Sequence, residues 1–191
     1  MDEISILNNQ LNRIRQMNRF YHQQFLLDVR ILFILNTSFL YIGFNNRLAY
    51  VIIPFISLFG AVLLSFHAHF LIFSRNYSEF IEQNINKISK KDLLIGHKLE
   101  NSYFFPTKDK KLVVASFGKK FTWFSFVTIF ITFFGISSYI FSIYQLFITT
   151  NYTNYLFFIT FITFITLLIG IWWFLLGNGE KRLEKIFSEY R

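Results

Sequence analysis

The stretch AYVIIPFISLFGAVLLSFHAHFLIF, residues 49–73, decides the fold because it contains no charged side chain. A helix needs about 20 apolar residues to cross a hydrocarbon core of about 30 Å. Near the middle of such a helix, each Leu, Ile, Phe or Val favours insertion by about 0.3–0.6 kcal/mol. The stretch is therefore predicted to be a transmembrane helix.

Three further segments, at residues 25–44, 121–148 and 155–176, are long and apolar enough to do the same. Of the 191 residues, 53% are hydrophobic and 16% are charged, against about 25% charged in a typical soluble domain. Asp28 and Arg30 lie in the first two turns of the first segment, from where their side chains can reach the headgroups. The sequence predicts an all-α integral membrane protein with four transmembrane helices in two hairpins.

The basic residues predict the orientation of these helices. Seventeen of the 19 Lys and Arg residues lie in residues 1–24, 74–120 and 177–191, which share one side of the membrane if there are four spans. The opposite side holds only Arg47. Because Lys and Arg collect in cytoplasmic loops, both termini and the central segment are expected in the cytoplasm, at the bacterial inner membrane. The net charge of +8 is then explained by topology, and no nucleic-acid partner is expected.

The predicted organisation has five parts. These are an amphipathic N-terminal helix at 1–24, a first transmembrane hairpin at 25–73, a cytoplasmic segment at 74–120, a second transmembrane hairpin at 121–176 and an amphipathic cytoplasmic tail at 177–191.

The N-terminal helix carries an apolar stripe formed by Ile4, Leu7, Leu11 and Ile14 at helical spacing. Outside the membrane this stripe needs a partner. The candidates are the leaflet surface, a second copy in a coiled coil, or the chain's own cytoplasmic segment. No Pro or Gly occurs between Asp2 and Ile42, so this helix is expected to continue into the first span.

The cytoplasmic segment is expected to begin as a continuation of the second span. Apolar residues recur at helical spacing to about residue 90. Short apolar runs follow, separated by Gly96, Pro106 and the turn at 108–111, and predict a short β-hairpin. In the tail, the sequence Gly-Asn-Gly at 177–179 is expected to separate the fourth span from an interfacial helix.

A stripe of small and hydroxylated residues runs along the third span. Its members are Thr122, Ser125, Thr128, Thr132, Gly135, Ser138, Ser142 and Gln145. Such a stripe lets helices approach closely and bond across their interface. It would also line an aqueous path if several copies assembled. Packing is the favoured interpretation, and the pore is the functional alternative.

A second set of polar residues is predicted near the cytoplasmic ends of the first two spans. Asp28 and Arg30 are expected at a similar depth to His67 and His69, so a hydrogen bond between Asp28 and one histidine is predicted. Two histidines at i and i+2 point about 200° apart on a helix, so they cannot bind one metal ion together. The simple interpretation is an interfacial histidine, and the alternative is a proton- or ion-sensing cluster.

The sequence offers no catalytic apparatus. It lacks the motifs of serine hydrolases, P-loop enzymes, dinucleotide-binding enzymes and zinc proteases. It also contains no Cys, which excludes disulfides and thiolate metal sites. His97 and Glu100 form a lone i, i+3 pair beside Gly96. We therefore expect neither enzymatic activity nor a cofactor or metal.

Two functions remain open. The favoured one is a small oligomeric protein that forms or gates a permeation path, or perturbs the membrane as an effector. The alternative is a non-catalytic accessory or regulatory subunit that anchors a cytoplasmic partner. In size and topology the chain resembles membrane components found in phage-defence loci, a resemblance that implies a role of this second kind.

Overall fold

The computed structural model describes residues 3–103, 123–149 and 152–189, and every regular element in these ranges is helical. The elements are α1 (Glu3–Gly43), a 3₁₀ helix (Arg47–Val51), α2 (Ile52–Ser89), α3 (Gly96–Tyr103), α4 (Trp123–Phe147), α5 (Thr153–Gly170), a π-helical turn (Ile171–Leu175) and α6 (Asn178–Glu189). Four of the helical segments are long and apolar enough to cross a membrane. The β-hairpin predicted around the turn at 108–111 lies outside the described residues.

Both long helices continue well past their apolar segments, as the sequence predicts. With 41 residues α1 is about 61 Å long, and with 38 residues α2 is about 57 Å long, at about 1.5 Å per residue. Each is therefore about twice as long as a hydrocarbon core of about 30 Å requires. The helix α2 tolerates Pro54 because a proline in the first turn removes no intrahelical hydrogen bond.

The chain divides into two compact units. The first contains Met1–Phe25 and Phe66–Thr128, and the second contains Leu26–Ser65 and Ile129–Arg191. In the first unit, Leu11 packs against Ile81 and Ile85 of α2 in a buried cluster. Leu7 and Ile14 lie against the same cluster. Of the three possible partners of the N-terminal apolar stripe, the structure therefore shows the chain's own segment that follows the second apolar stretch.

The second unit has its own core, in which Tyr50, Ile53 and Leu146 are buried together. The phenol of Tyr155 donates a hydrogen bond of 2.6 Å to the carbonyl of Val51, so α5 is attached to the end of the 3₁₀ helix that precedes α2. These contacts hold residues of the short connection between α1 and α2 against residues of α4 and α5.

A buried amide also connects α1 and α2 within the second unit. The side chain of Asn36 is 3% exposed, and its nitrogen donates to the carbonyl of Leu32 at 3.1 Å. Its oxygen accepts a hydrogen bond from the hydroxyl of Ser57 at 3.3 Å. Gly60, one turn after Ser57 in α2, lies so close to Leu32, one turn before Asn36 in α1, that an added Cβ would be 2.7 Å from the leucine side chain. The two helices thus pack closely around a polar contact.

Candidate functional site

The most strongly built polar site of the described residues is centred on Glu82, in the part of α2 that lies beyond its apolar segment. Glu82 is 2% exposed and sits on the same face as Ile81 and Ile85. A carboxylate buried on an apolar face is strongly destabilising unless it is paired and hydrogen-bonded. The local sequence therefore requires partners for Glu82, and the fold supplies them from two other elements.

The carboxylate of Glu82 accepts three hydrogen bonds. The guanidinium of Arg15 on α1 donates to one oxygen at 2.7 Å. His97, in the first turn of α3, donates its backbone N–H to the other oxygen at 3.0 Å, and its Nδ1 lies 2.9 Å from that oxygen. Three helices of the first unit therefore meet at a single acidic side chain.

These contacts determine the charge of Glu82. Burial alone would raise the pKa of this carboxyl, but the hydrogen bonds from His97 and the hydrogen bond and charge of Arg15 outweigh burial and lower its pKa. Glu82 is therefore ionised at neutral pH, and an ionised carboxylate can only accept hydrogen bonds. It follows that the Nδ1 of His97 carries a proton and donates it to Glu82.

Glu82 also occupies the position that an anion would take at the start of α3. The first backbone N–H groups of a helix lack intrahelical acceptors and carry partial positive charge. The backbone N–H of His97 points at the Glu82 carboxylate, so α2 supplies the anion from within the chain. An added Cβ on Gly96 would lie 2.7 Å from Glu82 Oε1, which explains why glycine begins α3.

A second side chain of α2 holds the connection between α2 and α3. The oxygen of Asn86 accepts hydrogen bonds from the backbone N–H groups of Leu93 and Leu94, at 3.0 and 2.9 Å. The nitrogen of Asn86 donates to the carbonyl of Leu94 at 2.8 Å. Glu82 and Asn86 are one helical turn apart, and together they fix the chain that follows α2. The connection is thus an ordered part of the unit.

Sequence reasoning missed this site, although one signal for it was present. Local spacing pairs His97 with Glu100, three residues later, whereas the structure pairs it with Glu82, 15 residues earlier. Arg15 is separated from Glu82 by 67 residues, so no local pattern connects them. The available signal was the acidic residue between Ile81 and Ile85 on the apolar face, which had to be paired.

The polar cluster predicted from the sequence is divided between the two units. Asp28 and Arg30 belong to the second unit, while His67 and His69 belong to the first. In the first unit the ring of Tyr21 lies 6.0 Å from that of His67, so this histidine packs beside an aromatic residue of α1. The hydrogen bond between Asp28 and a histidine stays a prediction.

The stripe on the third candidate span is partly buried by the chain itself. Ser125, Ser138 and Ser142 are each at most 3% exposed, whereas Thr132 is exposed. The hydroxyl of Ser138 donates to the carbonyl of Phe134 at 2.8 Å, within its own helix. Both interpretations of the stripe, helix packing and a pore, stay predictions. Thr122 lies outside the described residues, and Thr128, Gly135 and Gln145 are half-buried.

Comparisons of the whole chain with protein-family models, with curated proteins and with solved structures find no match.

Proposed function

We propose that this chain is a four-pass integral protein of the bacterial inner membrane, with both termini and the central segment in the cytoplasm. We further propose that it acts as a non-catalytic accessory subunit that holds a cytoplasmic partner at the membrane. Four helices long and apolar enough to span a bilayer support the first part. The distribution of Lys and Arg supports the orientation.

The observation that carries the second part is the ionised carboxylate of Glu82 and its three hydrogen bonds. A protein that only needed four spans could end α2 at the headgroups. Instead, α1 and α2 extend beyond their apolar segments, and Arg15, Glu82 and His97 fix them to a third helix. Such contacts give the first unit a defined surface on the aqueous side. A defined surface of this kind supports a role in binding a partner more than it supports a permeation path.

Two measurements test the proposal. Fusions of green fluorescent protein and alkaline phosphatase to each terminus should give fluorescence and no phosphatase activity at both ends. Liposomes containing the purified chain should stay as impermeable to K⁺ and Cl⁻ as protein-free liposomes. Phosphatase activity at either end would refute the orientation, and ion flux proportional to the amount of protein would refute the accessory role.

A permeation path remains the second candidate, and one observation favours it. An added Cβ on Gly135 of α4 or on Gly170 of α5 would meet no atom of the described residues within 4 Å. Small residues with open space beside them are typical of sites where transmembrane helices of separate copies approach each other. In a homo-oligomer these faces could enclose a path. Gly135→Leu would then abolish both assembly and ion flux.

A further inference from the structure

A basic pocket opens on the first unit beside the connection between α2 and α3. Its volume is about 510 Å³, within the range of small-molecule sites. We call it the lysine pocket. It is lined by Gln83, Asn86, Lys87, Lys90, Lys91, Asp92, His97 and Lys98.

The charge in the lysine pocket is unbalanced. Four ammonium groups face a single carboxylate, and that carboxylate, Asp92, is already paired with Lys98 at 3.1 Å. Lys87, Lys90 and Lys91 form no ion pair within the described part of the chain. The neighbouring carboxylate of Glu82 is occupied by Arg15 and His97 and cannot neutralise them. Three of the four ammonium groups in the pocket are therefore not paired with any carboxylate of the described residues.

The backbone that carries these lysines is held in place. Asn86 bonds the connection three times, and the hydroxyl of Ser89 donates to the carbonyl of Lys91 at 3.0 Å. Lys90 has a φ of 54°, which turns the chain sharply at the end of α2. Fixing the backbone in advance lowers the entropy that a ligand must overcome on binding. The lysines are thus presented together before any ligand arrives.

We propose that the lysine pocket binds the phosphate groups of an anionic ligand. A multiply charged phosphate gains more Coulomb energy from several ammonium groups than a single carboxylate does. Lysine is also a common phosphate-binding residue, acting as a point charge. Among the described lining residues none is an apolar aliphatic residue and His97 is the one aromatic residue, so recognition rests on charge and not on an apolar ligand body. The inference rests on the proposed function, because it gives the cytoplasmic surface a ligand.

The phosphate comes from a soluble compound and not from the headgroups of the same membrane. The apolar segment of α2 ends at Phe73, and Lys87 follows 14 residues later, about 21 Å along the helix. The headgroup layer extends only about 5–8 Å beyond the hydrocarbon core. Screening at physiological salt limits the reach of surface charge to about 8 Å. The pocket therefore lies beyond the lipid phosphates.

Binding of inorganic pyrophosphate to the purified full chain in uncharged detergent tests this inference. Isothermal titration calorimetry is expected to show saturable binding that weakens with added salt. The variant Lys87→Gln/Lys91→Gln should weaken the affinity about tenfold or more, since two of these three ammonium groups are lost. The matched control Lys181→Gln/Lys185→Gln removes two exposed lysines of α6 and should change the affinity less than about twofold. Unchanged amide exchange at Leu93, Leu94 and His97 would show that the pocket variant keeps its backbone.

A parallel titration distinguishes the source of the phosphate. Nanodiscs of phosphatidylcholine alone and nanodiscs containing phosphatidylglycerol are expected to give the same pyrophosphate affinity. No saturable pyrophosphate binding, or equal weakening by both double variants, would overturn the proposal. Loss of pyrophosphate binding only in the anionic nanodiscs would overturn the soluble source. Because binding is measured on the whole chain in detergent, a failed orientation or liposome test leaves these outcomes interpretable.

Discussion

Replacing Glu82 by alanine is expected to release the start of α3 from α2. The substitution removes the carboxylate that accepts three hydrogen bonds. The backbone N–H and the Nδ1–H of His97 then lose their acceptor, and the His97 side chain is only 11% exposed. Removing one partner of a buried ion pair typically costs about 3–5 kcal/mol. Arg15 is 47% exposed and can regain water, which reduces the expected loss to about 2–4 kcal/mol.

Hydrogen exchange of the backbone amides reports this loss directly. If residues 93–99 exchange through local opening, a loss of about 2–4 kcal/mol accelerates their exchange by about thirty-fold to about a thousand-fold. Mass spectrometry of the full chain in detergent resolves such a change. The amides of α4 and α5 should exchange as they do in the unsubstituted chain.

The matched control is Glu79→Ala, one turn earlier on the same helix. Glu79 accepts a single exposed hydrogen bond of 3.2 Å from Gln83, a contact expected to contribute about 0.2–0.5 kcal/mol. Its removal should accelerate exchange of residues 93–99 by less than about threefold. Equal acceleration by the two substitutions would refute the view that the Glu82 carboxylate holds α3 in place.

Acidification should reproduce the effect of the Glu82 substitution. Because the pKa of Glu82 is lowered below the ordinary 4.5, its stabilisation of α3 is complete above about pH 4.5 and is lost as the pH falls through the lowered value. Amide exchange of residues 93–99, corrected for intrinsic rates, should show this loss. Loss of protection already at pH 6 would contradict it. Gly60→Ala should destabilise the second unit by about 1–3 kcal/mol because its Cβ would lie 2.7 Å from a leucine of α1. Gly135→Ala meets no described atom and should be neutral in thermal unfolding in detergent, so equal effects of the two alanines would contradict the packing described. Leu11 is 2% exposed, so Leu11→Ala should lower the opening free energy measured by exchange of the N-terminal amides by about 2–4 kcal/mol. Ile6 is 44% exposed, so Ile6→Ala should lower it by less than about 1 kcal/mol.

The helices could be predicted from the sequence because their signals are local. Uninterrupted apolar residues define the four candidate spans, and the absence of Pro and Gly predicts the unbroken α1. The continuation of α2 to Ser89 follows from apolar residues at helical spacing up to Ile88. Each of these inferences needed only neighbours within one or two turns.

The site could not be predicted in the same way because its partners are distant in sequence. The stripe of the N-terminal helix predicts that Leu11 is covered but leaves three possible partners, and only the fold selects Ile81 and Ile85. The pairing of Glu82 with Arg15 depends on that selection, since the guanidinium reaches the carboxylate only when those apolar residues meet. Burial of a charge is thus a consequence of tertiary packing.

The amide of Asn36 has a consequence for how α1 and α2 are aligned along their axes. Its bonds to Leu32 and to Ser57 occupy both ends of the amide group. If these helices lie in hydrocarbon, as proposed, no water is present to replace a partner that has moved away. A slide of α1 along α2 by a single turn would separate Asn36 from the serine hydroxyl while the apolar surfaces could still pack. The hydrogen bond between Asn36 and Ser57 therefore specifies one axial register of the two helices, whereas apolar surfaces alone would permit several.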